Sequence, residues 1–393
     1  MKTLQPISDI NPIKLALVVM LFLSFGHFER GISFFYFAPA IILLTLISLN
    51  KYAVRNKFII LVFLLSALIP IPIQSLGIDI ARDALFIFYF FAAIILGHSL
   101  ARYMHLEYLI YGLFFAGAYV TFLTIVKLVM GFQGDFSLLA IRGITGGAGD
   151  LGIVFIVLSF YGRRSLFLKM IFFMSLFLML ITQSRTMLAS FLFWGYFFIS
   201  SRSGIFLKWV IASVALLLIS LLIILGQSAD SESYTFLGKI LRSFQEIVPN
   251  EDQNINSNWR AVESAVAVNS FINGSLFEIL FGHGLGFRLS LGFEMTLADV
   301  KFDSIPILHN GYLYILLKYG IFGLFLWYKI LSSLVQKAGD PELVTISKSC
   351  FYIILVIQVF SSGVLQYTSL IFLLIMAACA TLNSNNAKVS SKT

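Results

Sequence analysis

The chain has 393 residues, 59% of them hydrophobic and only 12% charged, with a mean hydropathy of +0.93. A soluble domain carries about 25% charged residues, so this composition excludes a soluble globular enzyme and indicates a polytopic membrane protein. The net charge of +8 sits on loops rather than in one patch, which removes nucleic acid as a partner, and the two cysteines, Cys350 and Cys379, have neither metal nor disulfide spacing.

Apolar runs of about 17–25 residues can span a bilayer, with shorter ones completed by flanking residues. They occur near 12–28, 32–50, 58–76, 83–101, 108–130, 148–162, 166–183, 186–201, 205–226, 310–333, 346–364 and 367–383. The pattern predicts an all-α fold of about twelve transmembrane helices. Pro70, Pro72 and the glycines at 146–149 interrupt the third and sixth, and a tight turn at Gln183-Ser184 separates the seventh from the eighth. The first run follows a mostly polar stretch, 1–11, and lacks a small-residue cleavage site, so it is expected to persist as a helix.

Charge then orients the chain. Lys51, Arg55, Lys57, Arg102, Arg163, Arg164, Arg202, Lys208, Lys337, Lys388 and Lys392 fall on one side. The positive-inside rule makes that side cytoplasmic and places both termini there. The organisation expected is a nine-helix region over 1–226, a large outer loop over 227–308 and a three-helix region over 309–393. Within the loop, Phe236, Leu237, Ile240, Leu241, Phe244, Ile247 and Val248 recur at helical spacing opposite Lys239, Arg242 and Glu246, an amphipathic helix for the membrane surface. A second helix is expected from about Asn258 to Phe271, ending near Gly274. The glycines of Phe281–Arg288 then make a turn that lets backbone approach a ligand or another helix. No internal repeat suggests a two-halved transporter, and the polar groups gather at one interface rather than at the midplane, against a transporter or lipid-linked sugar flippase.

His309 opens an apolar helix directly after this loop. A helix start presents unpaired N–H groups and the positive end of its dipole, which draws phosphate-bearing ligands and leaves an imidazole able to take a proton. Arg142, before the sixth helix, Arg185, in the tight hairpin, and Arg260, near the start of the second loop helix, converge on the same face, with Arg82 and Arg288 beside them. Guanidinium groups meet phosphate oxygens in a bidentate fork. Each arginine also has a plainer reading as an interfacial anchor or ion-pair member, and Asp79 and Asp83 favour an ion pair for Arg82. Lys318 lies about 13 Å along the helix axis from His309, so it lines a wet cavity or pairs with a carboxylate. His283 reads as a surface residue. Tyr312 and Tyr314 read as interfacial anchors, with Tyr312 also counted among the substrate-binding residues. The outer acids Asp150, Glu263, Glu278, Glu294, Asp299 and Asp303 show no metal-ligand spacing, and Glu263, three residues after Arg260, is placed to orient that arginine.

Four pieces in order make the chain resemble the superfamily of bacterial O-antigen polymerases and O-antigen ligases. They are Arg142-Gly leading into a helix, Thr182-Gln-Ser-Arg-Thr186, the Trp259-Arg260 helix followed by Leu280-Phe-Gly-His-Gly-Leu-Gly286, and His309-Asn-Gly with Gly320 and Gly323. The resemblance implies a GT-C-like membrane glycosyltransferase of the inner membrane, working at the periplasmic face without a cofactor or metal. Its donor would be an undecaprenyl-pyrophosphate-linked oligosaccharide. By the same resemblance His309 is the essential histidine and Arg142, Arg185 and Arg260 meet the pyrophosphate. The site expected has His309 and Arg260 as catalytic residues, with Arg142, Arg185, Arg288 and Tyr312 binding pyrophosphate or substrate. A polymerase is expected first, with a ligase to lipid A-core as the alternative. Its partners would be membrane lipid, a chain-length regulator (polysaccharide co-polymerase) and a flippase.

Overall fold

The computed structural model describes residues 11–26, 77–103, 106–131, 174, 255–297, 300–335, 339–360 and 367–390. Within these lie α1 (Pro12–Gly26), α2 (Gly77–Tyr103), α3 (Leu106–Gly131), α4 (Ile255–Ile272) and α5 (Leu276–Phe281). They are followed by strands β1 (Leu289–Leu297) and β2 (Val300–Ile305), then α6 (Gly311–Leu334), α7 (Pro341–Phe360) and α8 (Tyr367–Ser390). Six of the twelve expected spans fall on described residues, and each is a helix there. The other six, apart from residue 174 in the seventh, the surface helix expected over 236–248, and Arg142 and Arg185 lie outside the described residues. Among the described residues, three helices are long and apolar enough to cross a membrane: Gly77–Arg102, Phe114–Gly131 and Gly311–Leu334.

Local chemistry sets the helix starts. Pro12 occupies the first turn of α1, where its missing N–H costs nothing, and Asn11 Oδ1 accepts from the amides of Ile13 (3.0 Å) and Lys14 (3.3 Å). Asn310 caps α6 in the same way, through the amides of Tyr312 (3.0 Å) and Leu313 (3.2 Å). The core is apolar and closely packed. A Cβ on Gly97 of α2 would stand 2.3 Å from the Leu374 carbonyl oxygen of α8, so the missing side chain permits that approach. His98 and Thr381 meet across the same seam at 2.6 Å.

The fold is mostly helical, as expected, but residues 289–305 add a β-hairpin that an all-α reading omits. Leu289 pairs with Ile305 and Leu297 with Val300, antiparallel, with a register irregularity between Ser290 and Met295. Gly292, inside that irregularity, has φ of 75°. Leu289 and Leu291 are buried and Phe293 half-buried, while Ser290, Gly292 and Glu294 are exposed, so one face of β1 packs inward. The loop helix expected over 258–271 is α4.

The glycine-rich turn approaches a helix. Gly320 interrupts α6 with φ 66° and ψ −172°, which withdraws the local i→i+4 partners from the carbonyls before it. The amide of His283 donates to Leu317 O (2.7 Å) and that of Gly284 to Lys318 O (2.9 Å). Backbone meets backbone here. A Cβ on Gly282 would lie 2.4 Å from Lys318 C, and one on Gly320 would lie 2.3 Å from Leu280 C. Gly320→Ala should therefore destabilise the protein by more than about 1 kcal/mol, since both the positive φ and the crossing exclude a side chain. A drop in detergent-solubilised melting temperature checks this, and an unchanged temperature would contradict the crossing.

His283 corrects the surface reading. Its ring is half-buried, stacks on Phe287 at 4.1 Å and reaches Glu278 at 3.2 Å. Burial lowers its proton affinity, and Glu278 partly opposes that. Glu278 also closes a capping box with Ser275, whose backbone N–H holds the Glu278 carboxyl below its usual range. That contribution is present above the ordinary glutamate value of 4.5 and fades as the pH falls below it.

Candidate active site

Two polar constellations flank the first half of α6. The first joins α4 to the residue before the α6 cap. Glu263 is 3% exposed and directs both oxygens at His309. Its Oε1 accepts the backbone N–H of His309 at 2.5 Å, and its Oε2 lies 3.2 Å from Nδ1. An ionised carboxylate is acceptor only, so Nδ1 is the donor and the ring's lone pair resides on Nε2. Arg260 is half-buried and lies three residues before Glu263, on the same helical face.

This geometry revises the account of the helix start. Of the N–H groups expected to await an anionic ligand, those of Tyr312 and Leu313 are met by Asn310 Oδ1, and the neighbouring N–H of His309 is met by Glu263. The anion stationed at the positive end of α6 is the Glu263 carboxylate. Glu263 was expected to orient Arg260, but its observed partner is His309. Its place on a loop helix was legible, whereas a pairing across 46 positions was not.

The second constellation is buried and ionic. Asp83, fully buried, accepts from Lys318 Nζ (2.5 Å), Tyr314 hydroxyl (3.0 Å) and the amide of Gly286 (2.8 Å). Tyr314 and Lys318 are four residues apart, so they share one face of α6. Lys318 also donates to Phe287 O at 2.5 Å. The expectation that Lys318 pairs with a carboxylate holds, and Asp83 is the carboxylate. Arg82 forms the expected local pairs, through Nη1 to Asp79 (2.7 Å) and Nη2 to Asp83 (3.2 Å). Asp79 then reaches Arg288 through its other oxygen, at 3.4 Å. Asp79 thus stands between two partly exposed guanidinium groups, and Arg288 Nε is buried with no hydrogen-bond partner. Three cations face two carboxylates, an excess of one positive charge.

The remaining residues expected at the site divide. Tyr312 donates its hydroxyl to Leu355 O at 2.8 Å, which ties α6 to α7. Arg142 and Arg185 lie outside the described residues. Among the described residues no three His, Cys, Asp or Glu side chains gather as a metal site would require.

No curated protein and no solved structure matches the chain. A family model described as O-Antigen ligase does match, over residues 170–328, a stretch that includes α4, α5, the hairpin, His309, Glu263 and Lys318. The apolar helices and this match together describe an integral membrane protein. Over residues 170–328 the chain is similar to the O-antigen ligase family, in keeping with the O-antigen polymerase and ligase superfamily that the sequence resembles.

Proposed function

We propose that the chain is an inner-membrane glycosyltransferase that joins undecaprenyl-pyrophosphate-linked O-antigen repeat units at the periplasmic face, an O-antigen polymerase. The observation that carries this reading is the His309–Glu263 pair, a base held in one tautomer by a buried carboxylate on the loop helix that also bears Arg260. The regions 1–226, 227–308 and 309–393 are its membrane, periplasmic and C-terminal membrane parts, with both termini cytoplasmic. Membrane lipid surrounds it, and a chain-length regulator and a flippase are its protein partners.

In the proposed reaction an acceptor sugar hydroxyl attacks the anomeric carbon of the donor. The bond from that carbon to the pyrophosphate oxygen breaks, and the lipid pyrophosphate leaves with the electron pair. The hydroxyl proton passes to His309 Nε2, and Glu263 stabilises the imidazolium that results. Arg260 meets the charge growing on the leaving group. Arg288 is a second candidate for that role, because a buried, unsatisfied guanidinium N–H beside excess positive charge suits an anionic ligand. Arg142, Arg185 and Tyr312 complete the proposed binding set.

Two results would check this reading. If Arg260 grips phosphate through its fork, Arg260→Lys should fail nearly as badly as Arg260→Ala. The loss of about 1.5–3 kcal/mol amounts to one to two decades in rate. Full activity of Arg260→Ala at normal abundance would make the residue structural. A deletion strain should carry lipid A-core capped with a single repeat unit. The second reading, a ligase to lipid A-core, is favoured by the wording of the matching family model. It predicts bare core with long polymer accumulating on the carrier lipid.

A further inference from the structure

A cleft of about 490 Å³ opens between α4 and β1, on the helix that also carries Glu263. Its α4 wall is one stripe of the helix. Val262, Val266, Asn269, Ser270 and Asn273 follow one another at i, i+4, i+7, i+8 and i+11. Leu291 and Phe293, from the inward face of the hairpin, form the other wall. The stripe covers about 16 Å of helix and begins at Val262, whose next neighbour is Glu263.

The cleft's chemistry differs from that of the rest of the site. None of its lining residues is charged, so it has nothing to neutralise a pyrophosphate. Its polar groups are two carboxamides and a hydroxyl, which both donate and accept hydrogen bonds. Its outer apolar wall ends in a half-buried aromatic ring. Amides that can pair with hydroxyls and a ring that packs against C–H faces suit a neutral saccharide, whereas a lipid tail has no polar group to offer them.

We propose that this cleft holds the acceptor saccharide, with Phe293 as the packing platform and Asn269 and Asn273 as the hydroxyl-binding groups. The assignment rests on the glycosyltransferase reading above. It divides the substrates: charge is handled by arginines, and the neutral glycan by the α4–β1 cleft. The hairpin, with no part in the chemistry, then acts as the second wall of an acceptor site.

The test uses purified full-length protein with lipid-linked repeat unit from the source strain as donor and acceptor. Phe293→Ala and Asn273→Ala should each raise the acceptor KM at least about tenfold while kcat falls less than threefold. A second measurement needs no turnover. Cys350 and Cys379 are buried, so Ser270→Cys supplies an accessible thiol in the cleft. Repeat-unit oligosaccharide freed of its lipid should slow maleimide labelling of that thiol several-fold. Unchanged KM in both alanine variants, or labelling indifferent to the oligosaccharide, would overturn the cleft assignment while leaving the enzyme reading intact. A wild-type protein that transfers no glycan would instead sink the enzyme reading, and the labelling result would then decide the cleft alone.

Discussion

Asp83→Ala should be among the most destabilising single substitutions in the described part of the chain. It leaves the Lys318 ammonium buried at 3% exposure and removes the acceptor shared by Tyr314 and Gly286. Breaking a buried pair from one side costs about 3–5 kcal/mol, because the remaining charge stays out of water. Lys318→Met should be milder, since Asp83 keeps Arg82, Tyr314 and the Gly286 amide. The double variant Asp83→Ala/Lys318→Met should recover part of the loss, as the orphaned charge is gone. Thermal unfolding in detergent, followed across the four proteins, checks the order. A double variant no more stable than Asp83→Ala would mean that the ion pair itself is not what the single change disrupts.

The second large effect is catalytic. Glutamine at 309 can donate to Glu263 and keep the contact between α4 and α6, yet it cannot take a proton. His309→Gln should therefore lose activity as severely as His309→Ala, on the order of 10²–10⁴ in rate. Glu263 acts through the histidine as a positioning residue. Glu263→Gln keeps the volume but removes the acceptor-only carboxylate that fixes the tautomer, so it should fall by a similar factor. A merely structural Glu263 would add its own loss to that of His309→Gln. In this account Glu263→Gln lowers kcat with little change in KM, and the double variant Glu263→Gln/His309→Gln is no slower than His309→Gln alone.

Sequence periodicity carried much of the described fold, and it did so unevenly. The helices at 77–103, 106–131 and 311–334 were legible because long apolar runs admit few alternatives in a membrane. The hairpin was missed although its signal is present. Leu289, Leu291, Phe293, Met295 and Leu297 alternate with Ser290, Gly292, Glu294 and Thr296, which is period two. The residues between the strands, Ala298 and Asp299, lack the Asn-Gly or Asp-Gly that marks a tight hairpin.

The site divides in the same way. His309 stood out because it borders an apolar helix, and Lys318 because a lysine within such a helix requires a partner. Neither partner could be named, since Glu263 lies 46 positions and Asp83 235 positions away. Local spacing offered Arg260 to Glu263 and Arg82 to Asp83, and the second of those pairs is formed in the structure. The glycines of 282–286 signalled close approach, but only the packing identifies the kinked α6 as what they approach.

The central claim is that His309, oriented by Glu263, takes the proton as glycan is transferred off a lipid pyrophosphate. Its most direct test is a single-turnover reaction of the purified protein with undecaprenyl-pyrophosphate-linked repeat units, quantifying new glycosidic bonds and released undecaprenyl pyrophosphate together. The account predicts one carrier released per bond formed by wild type, and a rate reduced at least a hundredfold in His309→Gln. Wild-type protein that leaves the donor intact, or a His309→Gln variant that transfers glycan at the wild-type rate, would contradict it.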